Sequence, residues 1–216
     1  MSKLMSSDSA GAWDKLSKRL GDDRRHRILE VAKKRSNQIR LIIQDIHHPH
    51  NISACIRSAD AFGIESVDVV TLREKFSPST VTKGVAHWMR INKWQSVAEC
   101  ASTVKAKGYK IAAGYPSKTG LTLETLPIDQ PLALVFANEH RGADPEWEKH
   151  IDYPFTIDMQ GMVESLNISV SCAIALYTLR QRMQRTQKNI CLNPQENEAL
   201  LNFWAEYFLH ESEIDR

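Results

Sequence analysis

The stretch Leu132-Ala-Leu-Val-Phe-Ala137 is apolar throughout and runs directly into the charged turn Asn138-Glu-His-Arg-Gly142. A run of that length is too short for a helix, and with no polar face it must be covered on both sides. It predicts a central strand of a parallel sheet. Ile39-Arg-Leu-Ile-Ile-Gln-Asp-Ile46 reads the same way; it is rich in β-branched residues and is closed by His47-His48-Pro49. Shorter strands are expected at residues 67–71, 109–113 and 153–157. Between them, Ile52, Cys55, Ile56, Ala59 and Phe62 follow helical spacing from about Asn51 up to Gly63. Further helices are expected at 96–107, at about 165–187 and after Pro194, with two short ones between Trp13 and Arg35 broken by Gly21-Asp22-Asp23. Strands alternating with helices make this an α/β fold with a mostly parallel sheet.

A length of 216 residues suits one domain with appendages, and 42% hydrophobic with 25% charged residues excludes disordered, collagen-like and disulfide-dense classes. No segment approaches the ~18 consecutive apolar residues of a membrane span, and the N-terminal segment lacks the apolar core of a secretory signal. Cys55, Cys100, Cys172 and Cys191 lie far apart with no C-x-x-C pair. The expectation is a cytoplasmic chain with neither a disulfide framework nor a metal site. The net charge of +2 averages over segregated blocks. Arg24, Arg25, Arg27, Lys33, Lys34, Arg35 and Arg40 stand against Glu30 alone, and Arg180, Arg182, Arg185 and Lys188 against no acid, whereas acids dominate from Glu196 onward. Such blocks either track a phosphate backbone or solvate helix faces.

The common cofactor and nucleophile motifs are missing: no G-x-G-x-x-G follows the first strand, and neither a phosphate-binding G-x-x-x-x-G-K-[ST] nor a G-x-S-x-G elbow occurs. Three other clusters stand at the carboxyl ends of expected strands, where open α/β sheets bind ligands. In His47-His-Pro-His-Asn51-Ile-Ser-Ala-Cys-Ile-Arg57, Asn51 is placed to cap a helix, and Arg57 either pairs with a carboxylate or aims its fork at a phosphate. The three histidines have no carboxylate or cysteine at matching spacing, so no metal is expected there. In the turn after Ala137, Glu139 is a site acid or a partner of Arg141. In Ile157-Asp-Met-Gln-Gly161-Met-Val-Glu-Ser165-Leu-Asn167-Ile-Ser169, Ser165 and Asn167 bracket the start of a long helix beside an apolar loop able to wrap an adenine ring or a thioether.

Taken in order, N-x-x-x-x-x-R, x-N-E-x-x-G and I-x-M-x-G-M-x-x-S-L-N-x-S-V resemble the SPOUT superfamily of RNA methyltransferases, and within it the TrmH type of ribose 2′-O-methyltransferase, over about residues 24–190. The resemblance implies a parallel sheet ending in a C-terminal deep trefoil knot, an exception to unknotted topology. It also implies S-adenosylmethionine as cofactor and a homodimer with the active site at the subunit interface. It carries catalytic roles onto Arg57, Asn51, Glu139, Ser165 and Asn167, and cofactor binding onto Gly114, Ala137, Ile157, Met159 and Leu166. Two positions depart from the family pattern: Ala137 stands where glycine is usual, and Asp158 where proline is usual.

The implied reaction is methyl transfer to a ribose hydroxyl, a poor nucleophile until its proton is shared. Arginine stays protonated, so Arg57 suits a phosphate clamp better than a base. The basic segments resemble extensions that grip tRNA in the TrmH type, where the target is the guanosine at position 18 of the D-loop. RNA contacts are therefore expected from Arg24, Arg25, Arg27, Lys33, Lys34, Arg35, Arg180 and Arg182. The organisation expected is a basic helical extension at 1–36, the methyltransferase domain at 37–190 and a helical extension at 191–216. An rRNA ribose methyltransferase is the nearest rival; against it, only about 35 residues precede the first strand. A non-catalytic RNA-binding or assembly factor is the reading from another class. Trp88 and Trp94 read as packing residues, and Trp204, Tyr207 and Phe208 as an aromatic face docking on the dimer.

Overall fold

A computed structural model describes residues 11–73, 84–115, 120–138, 141–186 and 190–214, with 86 and 211–214 described by backbone alone. In chain order the elements are α1 (Ala12–Ser17), α2 (Asp22–Ala32), β1 (Ile39–Gln44), α3 (Pro49–Ala61), β2 (Ser66–Val70), β3 (Arg90–Trp94) and α4 (Val97–Ala106). They continue with β4 (Lys110–Gly114), β5 (Leu121–Thr122), β6 (Leu132–Ala137), β7 (Tyr153–Thr156), α5 (Ile168–Thr186) and α6 (Pro194–Ile214). Short 3-10 turns lie at Ala86–Trp88 and Pro145–Lys149.

Residues Ser36–Ile190 form one compact unit and the segments up to Arg35 and from Cys191 another, so the two sequence extensions share one unit. The larger unit is built on a seven-stranded sheet in the order β3-β2-β1-β6-β4-β7-β5, parallel at every described pairing. β1 and β6 pair from Ile39↔Leu132 to Gln44↔Ala137 at its centre. The apolar runs that predicted central strands are therefore central. β3 and β5 carry too little apolar pattern to read as strands; Arg-Ile-Asn-Lys-Trp is a half-exposed edge.

Alternation along the strands divides two cores. Leu41, Ile43, Val67, Leu134 and Phe136 pack under α3 and α5, meeting Cys55, Ile56, Cys172 and Leu176. Ile42, Val70, Ile111 and Val135 face the opposite side, under Val97, Cys100 and Val104 of α4 and under Trp147. Ser96 caps α4 by accepting the Glu99 amide at 3.3 Å. Gly108 stops the helix at φ +84°, a conformation disfavoured for side-chain-bearing residues.

The second core contains an ion pair. Arg40 and Asp68 are buried, and Asp68 accepts from Arg40 Nε, from Arg40 Nη2 at 3.1 Å and from Trp94 Nε1 at 2.7 Å. The Arg40 guanidinium lies 5.8 Å from the Tyr109 ring centre. Burial opposes the Arg40 charge, but the Asp68 carboxylate outweighs it and holds the arginine above its ordinary value. Trp94 is thus a packing residue with a polar anchor.

In the smaller unit, α1 and α2 pack on α6. Ala12, Leu16, Ala205, Phe208 and Leu209 form its apolar centre, and the Trp13 amide donates to Asn202 Oδ1 at 2.9 Å. The aromatic face of the last helix is consequently occupied within this unit: Trp204 is buried, the Arg35 guanidinium lies over it at 5.6 Å, and Arg24 lies over Phe208 at 5.6 Å. Of the three residues expected to dock on a second copy, Trp204 is taken up by that packing, Phe208 is half-buried and Tyr207 is exposed. No described helix is long and apolar enough to cross a membrane.

Replacing Asp68 by Ala strands a buried guanidinium and an indole N–H. The expected loss is about 3–5 kcal/mol of unfolding free energy, measured by urea denaturation against the wild type.

Candidate active site

Parallel strands deliver their following loops to one edge of a sheet, and the sequence clusters gather there. Gln44 lies opposite Ala137 across β1 and β6, Ala113 opposite Val135 across β4 and β6, and Gly114 opposite Phe155 across β4 and β7. The loops after β1, β6, β4 and β7 therefore leave from neighbouring strand ends. Ala137 and Gly114 are the last residues of β6 and β4, Ile157 follows β7 directly, and Asn51 lies in the first turn of α3 after β1.

α3 begins with Pro49 in its first turn and His48 at the cap. Asn51 is thus inside the first turn and not the cap, a correction to its expected local role. Its freed side chain reaches α5 instead: Asn167 Nδ2 donates to Asn51 Oδ1 at 3.2 Å. Asn167 also caps α5, its Oδ1 accepting from the Ser169 amide at 2.9 Å and from Ser169 Oγ at 2.7 Å. One asparagine pair therefore ties the starts of two helices that pack on each other. Arg57 stands two turns along α3, exposed between buried Ile56 and Ala59, with no hydrogen-bond or ion-pair partner among the described residues. Of its two sequence readings, pairing with a described carboxylate is absent. Ser165 is likewise exposed. Glu139 lies outside the described residues, as does Lys188.

The turn after β6 is held from below. Gly142 N donates to Asn138 O at 2.9 Å and Arg141 N to Asn138 Oδ1 at 2.9 Å, while Asn138 Nδ2 donates to Asp45 O at 2.7 Å. Gln44 Oε1 accepts from Asp144 N at 2.9 Å and from Trp147 Nε1 at 3.0 Å. Sequence reading singled out neither Gln44 nor Asp45, and met Asn138 only as the first residue of N-E-x-x-G; the visible signal was polar residues interrupting an otherwise apolar strand end.

Ile157, Met159 and Leu166 are half-buried, whereas Met162 is fully exposed and Val163 62% exposed. A Cβ on Gly114 would meet the Phe155 ring at 3.2 Å and the Phe136 ring at 3.7 Å, so glycine here lets two core rings close on the end of β4. Among the described residues no group of three or more His, Cys, Asp or Glu converges to hold a metal.

The basic blocks divide on inspection. Arg24, Arg27, Lys33 and Lys34 are exposed and Arg25 is half-exposed, although Arg25 pairs with Asp22 at 2.6 Å and Lys33 with Glu30 at 2.8 Å. Arg35 and Arg180 are 2% and 7% exposed, which corrects their expected RNA-facing role. Arg182 is turned inward as well: its Nη1 donates to the carbonyls of Leu123 and, at 3.0 Å, Leu126, so it secures a loop.

The chain is similar to known proteins. The model of the SpoU rRNA Methylase family matches residues 38–177. The chain belongs to that family. A tRNA (guanosine(18)-2'-O)-methyltransferase of Borreliella burgdorferi is 31% identical over 186 residues, covering 86% of this chain and 85% of that protein. The TrmH/SpoU tRNA modifying enzyme of Aquifex aeolicus superposes with a TM-score of 0.74 at 26% identity, over 90% of this chain and 97% of that one. AviRb of Streptomyces viridochromogenes, a SpoU methyltransferase solved with AdoMet, gives 0.61 at 25% identity, over 69% and 62%. As a SpoU family member the chain is an RNA methyltransferase. The family match spans β1 to the middle of α5, so it contains the whole edge described above.

Replacing Asn167 by Ala removes both the α5 cap and the link to Asn51. Loss of the cap costs about 1 kcal/mol, which thermal melting will register as a small drop. Methylation should fall by more than that drop accounts for, as initial rates measured well below the melting temperature will show.

Proposed function

We propose that this SpoU family member transfers a methyl group from S-adenosylmethionine to a ribose 2′-hydroxyl of tRNA, the target being the guanosine at position 18 of the D-loop. The observation that carries the substrate is coverage: the likeness to the Aquifex tRNA modifying enzyme extends over 97% of that chain, so the helical unit is matched along with the sheet. The relative from Borreliella, named for guanosine 18 of tRNA, is matched over 85% of its length. The exposed Arg24, Arg27, Lys33 and Lys34 give that unit cationic charge for the phosphate backbone.

The residues at the strand ends fit the cofactor on their own chemistry. Gly114 ends β4 exposed, and Ile157, Met159 and Leu166 offer half-buried apolar surface in the segment after β7. When bound, S-adenosylmethionine supplies an electrophilic methyl group on a sulfonium. Arg57, charged and unpartnered among the described residues, clamps the phosphate next to the target ribose and orients the 2′-hydroxyl. Asn51 and Asn167 link the starts of the helices near which Arg57 and Ser165 stand exposed. Glu139 completes the set in this reading.

The proposed fold detail is a C-terminal trefoil knot formed by the segment from β7 through α5, and the proposed assembly is a homodimer. Val170, Ile174 and Tyr177 are exposed on one stripe of α5, with Phe62 5.7 Å from Tyr177, an apolar face suited to a second copy. The proposed place of action is the cytoplasm, and the proposed organisation keeps residues 37–190 as the methyltransferase domain.

Mapping 2′-O-methyl groups in total RNA with and without the gene tests the substrate: loss at tRNA position 18 is expected. Loss at an rRNA site with position 18 intact would favour the rRNA reading. Calorimetry with S-adenosylmethionine tests the chemistry, and no binding at millimolar cofactor would favour a non-catalytic RNA-binding factor. Arg57→Lys keeps the charge and loses the fork. A hydrogen bond to a charged group contributes about 1.5–3 kcal/mol, so turnover should fall roughly ten- to a hundredfold, measured as kcat on tRNA transcript.

A further inference from the structure

Asp45 follows β1 at φ +46°, the one non-glycine residue with positive φ among the described residues. Aspartate tolerates this left-handed conformation better than most side chains do, and the strain is retained where the surroundings enforce it. Here they do so from three directions. The Asp45 amide donates to Val70 O at 3.0 Å, extending the β1–β2 ladder by one bond. Its carbonyl accepts from Asn138 Nδ2 at 2.7 Å, at the root of the turn after β6. Its carboxylate, on a residue only 4% exposed, takes both the Leu72 amide at 2.8 Å and the Arg73 amide at 3.1 Å on one oxygen, Oδ1.

A simple left-handed turn would need only glycine. The side chain adds an acceptor that two backbone donors of the segment after β2 would otherwise lack. Asp45 thus joins three strand ends, those of β1, β2 and β6, at the edge where the segment to α3 and the turn after Ala137 emerge. Ile46, directly after it, is buried in the core under α3, so the direction set at Asp45 passes into the segment leading to Pro49 and the first turn of α3.

We infer that Asp45 is a positioning residue for methyl transfer: its left-handed turn and Oδ1 acceptor fix the α3 entry against the ends of β2 and β6, and so fix where Arg57 stands. The inference rests on the proposed function. Asn has the same tolerance of positive φ and the same oxygen acceptor, Gly has the conformation without the acceptor, and Ala has neither. The geometry therefore ranks the variants: D45N close to wild type, D45G impaired, D45A worst.

The experiment compares wild type, D45N and D45G in kcat and KM on tRNA transcript, well below each melting temperature. Cofactor affinity is followed by calorimetry, and hydrogen exchange is followed at the amides of Leu72 and Arg73. The expected result is D45N within threefold of wild-type kcat and D45G at least tenfold down, with S-adenosylmethionine affinity within twofold throughout. The two amides should lose protection in D45G and keep it in D45N. A D45G enzyme within threefold of wild type overturns the inference, as does a D45N enzyme as impaired as D45G. A parallel loss of cofactor affinity in D45G also overturns it, because the effect would then not be confined to the α3 side. A wild-type chain that methylates no RNA overturns the proposed function and this inference together, whereas an active wild type with an active D45G overturns this inference alone.

Discussion

Two six-residue strands, β1 and β6, lie side by side at the middle of the sheet with full parallel register, and eleven of their twelve residues are buried. Everything in the larger unit is arranged by that pairing. Strands apolar on both faces demand a helical layer on each side, which α3 with α5 and α4 with the Pro145–Lys149 turn supply. Parallel register sends both chains out at the same edge. The loop to Arg57 and the turn after Ala137 consequently arise as neighbours, although they are separated by most of the intervening chain. The polar residues at that edge, Gln44, Asp45 and Asn138, satisfy backbone groups of the loops and leave Arg57 and Ser165 open.

How much of this could be read from the chain follows from which forces are local. The central strands, the α4 cap at Ser96 and its stop at Gly108 are written in consecutive residues, and they stand where the pattern puts them. β3 escaped because an edge strand covered on one side tolerates Arg90, Asn92 and Lys93, which erase the apolar signal. β5, at two residues, has no pattern to show. The start of α3 shifted from Asn51 to Pro49 because proline is preorganised for a first helical turn, and this released Asn51 for a partner 116 residues away.

The basic blocks teach the complementary lesson. Counting charges along the chain treats Arg24 and Arg35 alike, yet one is exposed and the other is buried beside Trp204. A guanidinium on an aromatic face is weakly hydrated enough to be covered. Arg40 belongs to the same category, with Asp68 as its counterweight. The candidate RNA-facing charge is therefore smaller than the composition suggests, and it is concentrated on α2 and the residues just after it.

The smaller unit is made from the two ends of the chain, with the Trp13 amide bonded to Asn202 across 189 positions. This has a consequence for synthesis. α1 and α2 span 6 and 11 residues, below the ~12–15 at which isolated helices become marginally stable in water. They lack their apolar partner until α6 has left the ribosome. All seven strands are synthesised before α1 and α2 have the helix they pack on. The segment from Pro194 onward thus decides when α1 and α2 take shape.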